Sequence, residues 1–123
     1  MRRLAGSLLA AVLLSGCDSG PEGPGTLEAR VTGEALGAVV LEVEGSAIRG
    51  FQGRGETRVY SAPAPGRAGV HRVVLVDPVG GTLRFAIEAD DLGMDGPFVR
   101  VVSAADTSNR LLLVPRVEAS IER

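Results

Sequence analysis

The sequence predicts an all-β fold, a single antiparallel β-sandwich of about seven to nine short strands. Three observations carry the prediction. Apolar and polar side chains alternate at period two through most of the chain after residue 26. Segments dense in Gly, Pro and Asp interrupt that alternation, at 53–56, 62–69 and 90–97. No stretch of the same region carries an apolar stripe at helical spacing.

Before the sandwich, the chain opens with Met1-Arg2-Arg3, an apolar run over 11 residues (4–14), then Ser15, Gly16 and Cys17. A positive start, a short apolar stretch and small residues at its end make up a cleaved export signal. The run falls short of the ~20 apolar residues that span a bilayer as a helix. Two routes are open to such a segment. The general signal peptidase cuts it with Cys17 merely nearby, or cleavage falls between Gly16 and Cys17. Asp18-Ser19-Gly20-Pro21-Glu22-Gly23-Pro24-Gly25 follows, with three Gly, two Pro and no apolar side chain. That composition reads as a tether, part flexible and part extended. The expected division is therefore 1–16 signal, 17–25 tether and 26–123 sandwich.

The strands follow in order. Leu27, Ala29 and Val31 alternate with Glu28 and Arg30, and Val39, Leu41 and Val43 share a face opposite Val40, Glu42 and Glu44. Shorter strands are expected at 47–51 and 58–61. The clearest unit spans 70–88. A run rich in β-branched residues over 70–76 leads into Asp77-Pro78-Val79-Gly80-Gly81, and 82–88 then places Leu83, Phe85 and Ile87 on one face. This reads as a β-hairpin with a loop of about five residues. Val73 and Val74 are both apolar, which implies partial cover on both faces of the first arm. The remaining strands are expected at 98–103, 110–114 and 116–122, with Pro115 separating the last two because it donates no ladder hydrogen bond.

Composition excludes several function classes. The chain has 13 Arg and no Lys, so Schiff-base chemistry, a phosphate-loop lysine and a Ser–Lys dyad are ruled out. With residues 1–16 removed, 11 basic side chains face 15 acidic ones, scattered singly. Without a basic run or more aromatics than Phe51, Tyr60, Phe85 and Phe98, nucleic acid is not an expected partner. Cys17 is the sole cysteine, so no disulfide or thiolate metal site can hold the domain.

The candidate sites are few. His71 is the only imidazole and reads as a half-exposed strand residue beside Arg72 and near Asp77. No Gly-x-Ser-x-Gly elbow accompanies it, and no catalytic residue is assigned. Asp90, Asp91 and Asp95, with Glu88, form the densest group of carboxylates. Hard oxygen ligands on a loop suit Ca²⁺, but the spacing departs from Asp-x-Asp-x-Asp-Gly, and Asp in a tight connection also caps backbone amides. Neither a metal nor any other cofactor is expected. Arg54 and Phe51 lie in a Gly-rich segment (50–55), with Tyr60 beyond it. Phe51 there is either the aromatic tip of a binding loop or a core residue folded back from a long connection.

Leu14-Ser15-Gly16-Cys17 resembles the lipobox of bacterial lipoproteins. The resemblance implies diacylglycerol on the Cys17 sulfur and an acyl chain on its amine, enough together for firm membrane attachment. It implies a lipid-anchored protein of the cell membrane or outer membrane, its domain facing the periplasm or the exterior. The segments GTLEARV and GAVVLEVEG (25–31 and 37–45), with the strand rhythm, are similar to the cohesin-like and carbohydrate-binding sandwich class, which implies the fold. The resulting expectation is a non-catalytic envelope lipoprotein with a structural or protein-binding role. The alternative is a carbohydrate- or peptide-binding module, whose partner is an envelope glycan or protein.

Overall fold

Two antiparallel sheets, four- and five-stranded, stack through the alternate apolar residues of their strands in the computed structural model. Residues 23–93 and 96–122 are described. The strands are β1 (Gly25–Thr32), β2 (Leu36–Glu44), β3 (Ile48–Gly53), β4 (Arg58–Pro63), β5 (Val70–Val76), β6 (Leu83–Ala89), β7 (Phe98–Asp106), β8 (Leu111–Leu112) and β9 (Glu118–Glu122). One sheet runs β3-β6-β1-β9 and the other β4-β5-β2-β7-β8. The predicted all-β sandwich is what the chain forms. Among the described residues no helix is long and apolar enough to cross a membrane.

Register explains the core. Leu27, Ala29 and Val31 of β1 stand opposite Ile87, Phe85 and Leu83 of β6. In the other sheet, Val39 and Leu41 of β2 stand opposite Leu75 and Val73 of β5. Because side chains alternate across a strand, these sets point inward together and meet between the sheets. Phe85, Leu41, Leu75, Leu83 and Ile87 are fully buried there. Each such side chain contributes roughly 1.5–3 kcal/mol on leaving water. Two register shifts separate β2 from β7, at Gly37 and at Val102. A Cβ at Gly37 would stand 3.0 Å from the Thr107 backbone, so the first irregularity needs a residue without a side chain.

The expected hairpin over 70–88 does not form. β5 pairs with β2 and β4, whereas β6 pairs with β1 and β3 in the opposite sheet. The segment between them is an arch from one sheet to the other. Its Asp77 is buried, and its Oδ1 accepts hydrogen bonds from the amides of Val79 (2.9 Å) and Gly80 (3.2 Å). Thr57 Oγ1 donates to Asp77 Oδ2 (3.3 Å) and accepts from the Arg84 amide (3.2 Å), which ties the arch to both sheets. Gly80 has φ of +84°, and a Cβ there would lie 2.5 Å from Thr107 Cγ2. The hairpins that do form join β4 to β5 and β7 to β8.

Other boundaries differ from expectation as well. The strand predicted over 110–114 shrinks to Leu111–Leu112, because Pro115 sits in a 3-10 turn over Val114–Arg116 and β9 begins only at Glu118. At the other end β1 starts at Gly25, opposite Ala89, so the last residue of the expected tether lies in a sheet. Gly23 is also held: its amide reaches Asp91 Oδ1 (3.2 Å), and its carbonyl accepts from the Leu92 amide (2.8 Å).

Candidate functional site

The outer face of the five-stranded sheet differs from that of the four-stranded sheet. Alternation on β2 turns Ala38, Val40, Glu42 and Glu44 away from the core, and pairing assembles their neighbours into rows. One row reads Ala62, Arg72, Glu42, Arg100 across β4, β5, β2 and β7. The next reads Tyr60, Val74, Val40, Ser103, and the next Arg58, Val76, Ala38, Ala105, with Leu111 beyond on β8. Tyr60 is 59% exposed and Leu111 85%. A shallow groove of about 360 Å³ runs beside Tyr60, Pro63, Arg72 and Val74. The outer face of the four-stranded sheet presents Thr26, Glu28, Arg30, Gln52, Arg84, Glu88 and Ser120 instead, the polar set that a solvated sheet face carries.

Glu42 is the electrostatic centre of this face. Its carboxylate is buried to 5% exposure and receives three guanidinium groups. Arg67 Nη1 donates to Oε2 at 2.8 Å, Arg72 Nη2 donates to the same oxygen at 3.1 Å, and Arg100 Nη2 donates to Oε1. Hydrogen bonds from Arg100, Arg67 and Arg72 hold the Glu42 carboxyl down to about 2, against an ordinary value of 4.5. All three arginine side chains stay at least half exposed. Sequence reasoning missed this cluster. Alternation placed Glu42 on an outward face, but only the pairing of β2 with β5 and β7 brings Arg72 and Arg100 to it, and Arg67 arrives from the β4–β5 connection.

The residues singled out from sequence do not converge. Phe51 lies within strand β3 rather than in a long connection, half-buried and packed against the core, its ring 5.5 Å from His71 and 6.4 Å from Phe85. Arg54 lies at the edge of the four-stranded sheet, where Nε and Nη2 grip Glu28 at 3.1 and 3.0 Å and lower the pKa of that carboxyl. Tyr60 is on the outer face of the other sheet. His71 points between the sheets, opposite Val43, with Nδ1 buried and without a hydrogen-bond partner among the described residues. It is the half-exposed strand residue expected beside Arg72, while the carboxylate of Asp77 is committed to the arch.

The acidic loop is occupied by its own structure. Asp90 pairs with Arg49 at 3.1 Å, and Asp91 Oδ1 accepts from the amides of Gly93 (2.8 Å) and Gly23. Asp95 lies outside the described residues, as do Gly16 and Cys17. Among the described residues no group of three His, Cys, Asp or Glu is placed to hold a metal ion. Comparisons with protein-family models, curated proteins and solved structures find no match.

Proposed function

We propose that the protein is a non-catalytic, lipid-anchored component of the bacterial cell envelope that works by binding another envelope protein. The attachment rests on Leu14-Ser15-Gly16-Cys17 behind Arg2-Arg3 and an apolar run, with Cys17 the sole cysteine. One observation carries the binding role: the sandwich has one outer face of ordinary solvated character and one on which Tyr60, Val74, Val40 and Leu111 lie together. Contiguous apolar surface of this kind marks an interaction site on a small soluble domain. Its domain stands in the periplasm or outside the cell, attached to the cell membrane or the outer membrane.

Fractionation tests the anchor. Cys17→Ser is expected to release the protein from membranes or to leave it as uncleaved precursor. A variant that sediments and migrates like the wild type would sink this part of the proposal. Exposed Tyr60 beside its groove supports a second reading, a carbohydrate- or peptide-binding module. That reading requires saturable binding to a purified envelope glycan or peptide, lost on Tyr60→Ala.

A further inference from the structure

We infer that the outer face of the five-stranded sheet is the docking surface for an acidic protein segment, one carrying carboxylates beside apolar side chains. This deepens the binding role proposed above and is independent of the lipid anchor.

The charge balance at Glu42 carries the argument. Three cations meet on one carboxylate, which leaves two positive charges in excess at that point. Exposed Glu44, on the same face of β2, offsets one of them. The chain as a whole is acidic, at −2 for the full sequence, so this cluster runs against the overall balance of charge. Among the described residues, the one side-chain hydrogen bond that each of Arg67, Arg72 and Arg100 makes goes to Glu42. A guanidinium has five N–H donors. Most donors on all three therefore face solvent while the groups are held in place. An array of fixed, half-exposed guanidiniums is suited to carboxylate oxygens, and its ordering cost is already met in the unbound protein.

The neighbouring rows decide what kind of carboxylate ligand fits. Directly beside Arg72 and Arg100 lie Val74, Val40 and Tyr60, with Val76, Ala38 and Leu111 one row further. Apolar side chains of a polypeptide bury against such a strip. An acidic polysaccharide presents hydroxyl groups instead, for which valines and leucine offer no partner, and the two exposed rings of this face, Tyr60 on β4 and Phe98 on β7, lie on opposite sides of the Glu42 row rather than side by side for sugar stacking. The observations thus favour a protein over a glycan.

The test uses the full-length protein in detergent micelles and fluorescent peptides built from Leu and Ser with either Glu, Gln or Lys. Anisotropy is expected to show saturable binding of the Glu peptide, with the Gln peptide weaker by about tenfold, one charge-assisted contact's worth. The double variant Arg67→Gln, Arg100→Gln keeps Arg72 on Glu42 and is expected to lose a similar factor. If that variant fails to fold, Tyr60→Asp, on an exposed side chain, serves instead. Ser120→Asp on the opposite face is expected to change nothing. Equal binding of the Glu and Gln peptides, tighter binding of polygalacturonate than of the Glu peptide, or equal loss with Ser120→Asp would each overturn the assignment. Photocrosslinkers at Tyr60 and Ser120 in intact cells separate the two levels of the claim. Adducts from neither position defeat the binding role itself, whereas adducts from Ser120 alone defeat only the choice of face.

Discussion

Glu42 shows how a residue unremarkable in sequence becomes central once its neighbours are paired. Its carboxyl is ordinary at 4.5 in the unfolded chain and is held at about 2 in the folded one by Arg100, Arg67 and Arg72. A depressed folded pKa contributes stability that is fully present above pH 4.5 and is lost as pH falls toward 2. Urea midpoints for wild type and Glu42→Gln are therefore expected to differ by a constant amount above about pH 5 and to converge between pH 4.5 and 2. A difference that stays flat through that window would show the clasp to be electrostatically silent. In the core, Phe85 is fully buried opposite Ala29 and close to Phe51. Phe85→Ala is expected to cost about 3–5 kcal/mol, read as a lower urea midpoint.

At the scale of elements, the arch between β5 and β6 is held by Asp77 and Thr57 rather than by a hairpin ladder. Asp77→Ala leaves the Val79 and Gly80 amides and the Thr57 hydroxyl without their acceptor, at an expected cost of about 1–3 kcal/mol in urea unfolding. Asp77→Asn keeps an acceptor and is expected to lose less. A null result for Asp77→Ala would show that water replaces the carboxylate. The same arch marks where the sequence could be read and where it could not. Val70–Val76 and Leu83–Ala89 were legible as strands because period-two alternation is a local property. Which sheet each strand joins was not, because Asp-Pro-Val-Gly-Gly suits a turn within a sheet and a crossing between sheets alike. Strand 98–103 was found but cut short, since the extra residue at Val102 shifts the alternation that defined it. The candidate site failed for a related reason. Tyr60 was legible as a lone aromatic, but its partners Val74 and Val40 lie 14 and 20 positions away in sequence and meet it only through pairing.

Across the whole molecule, the two sheets share one core and differ outside it. The four-stranded sheet turns Glu28, Arg30, Arg84 and Glu88 to water, and the five-stranded sheet turns Tyr60, Val74 and Val40 outward beside the Glu42 clasp. On the proposed function, the first face is passive and the second meets the partner. The chain enters at Gly23, which is bound to Asp91 and Leu92, and passes at once into β1. β1 lies inside its sheet, paired with β6 on one side and β9 on the other. Ladder hydrogen bonds run across the strands. A pull on the chain from the side of Cys17, along β1, therefore loads two ladders sideways and all at once instead of peeling them bond by bond. On the proposed function, a protein held to a membrane at that end and gripped by a partner on its five-stranded sheet would carry the load through these two ladders.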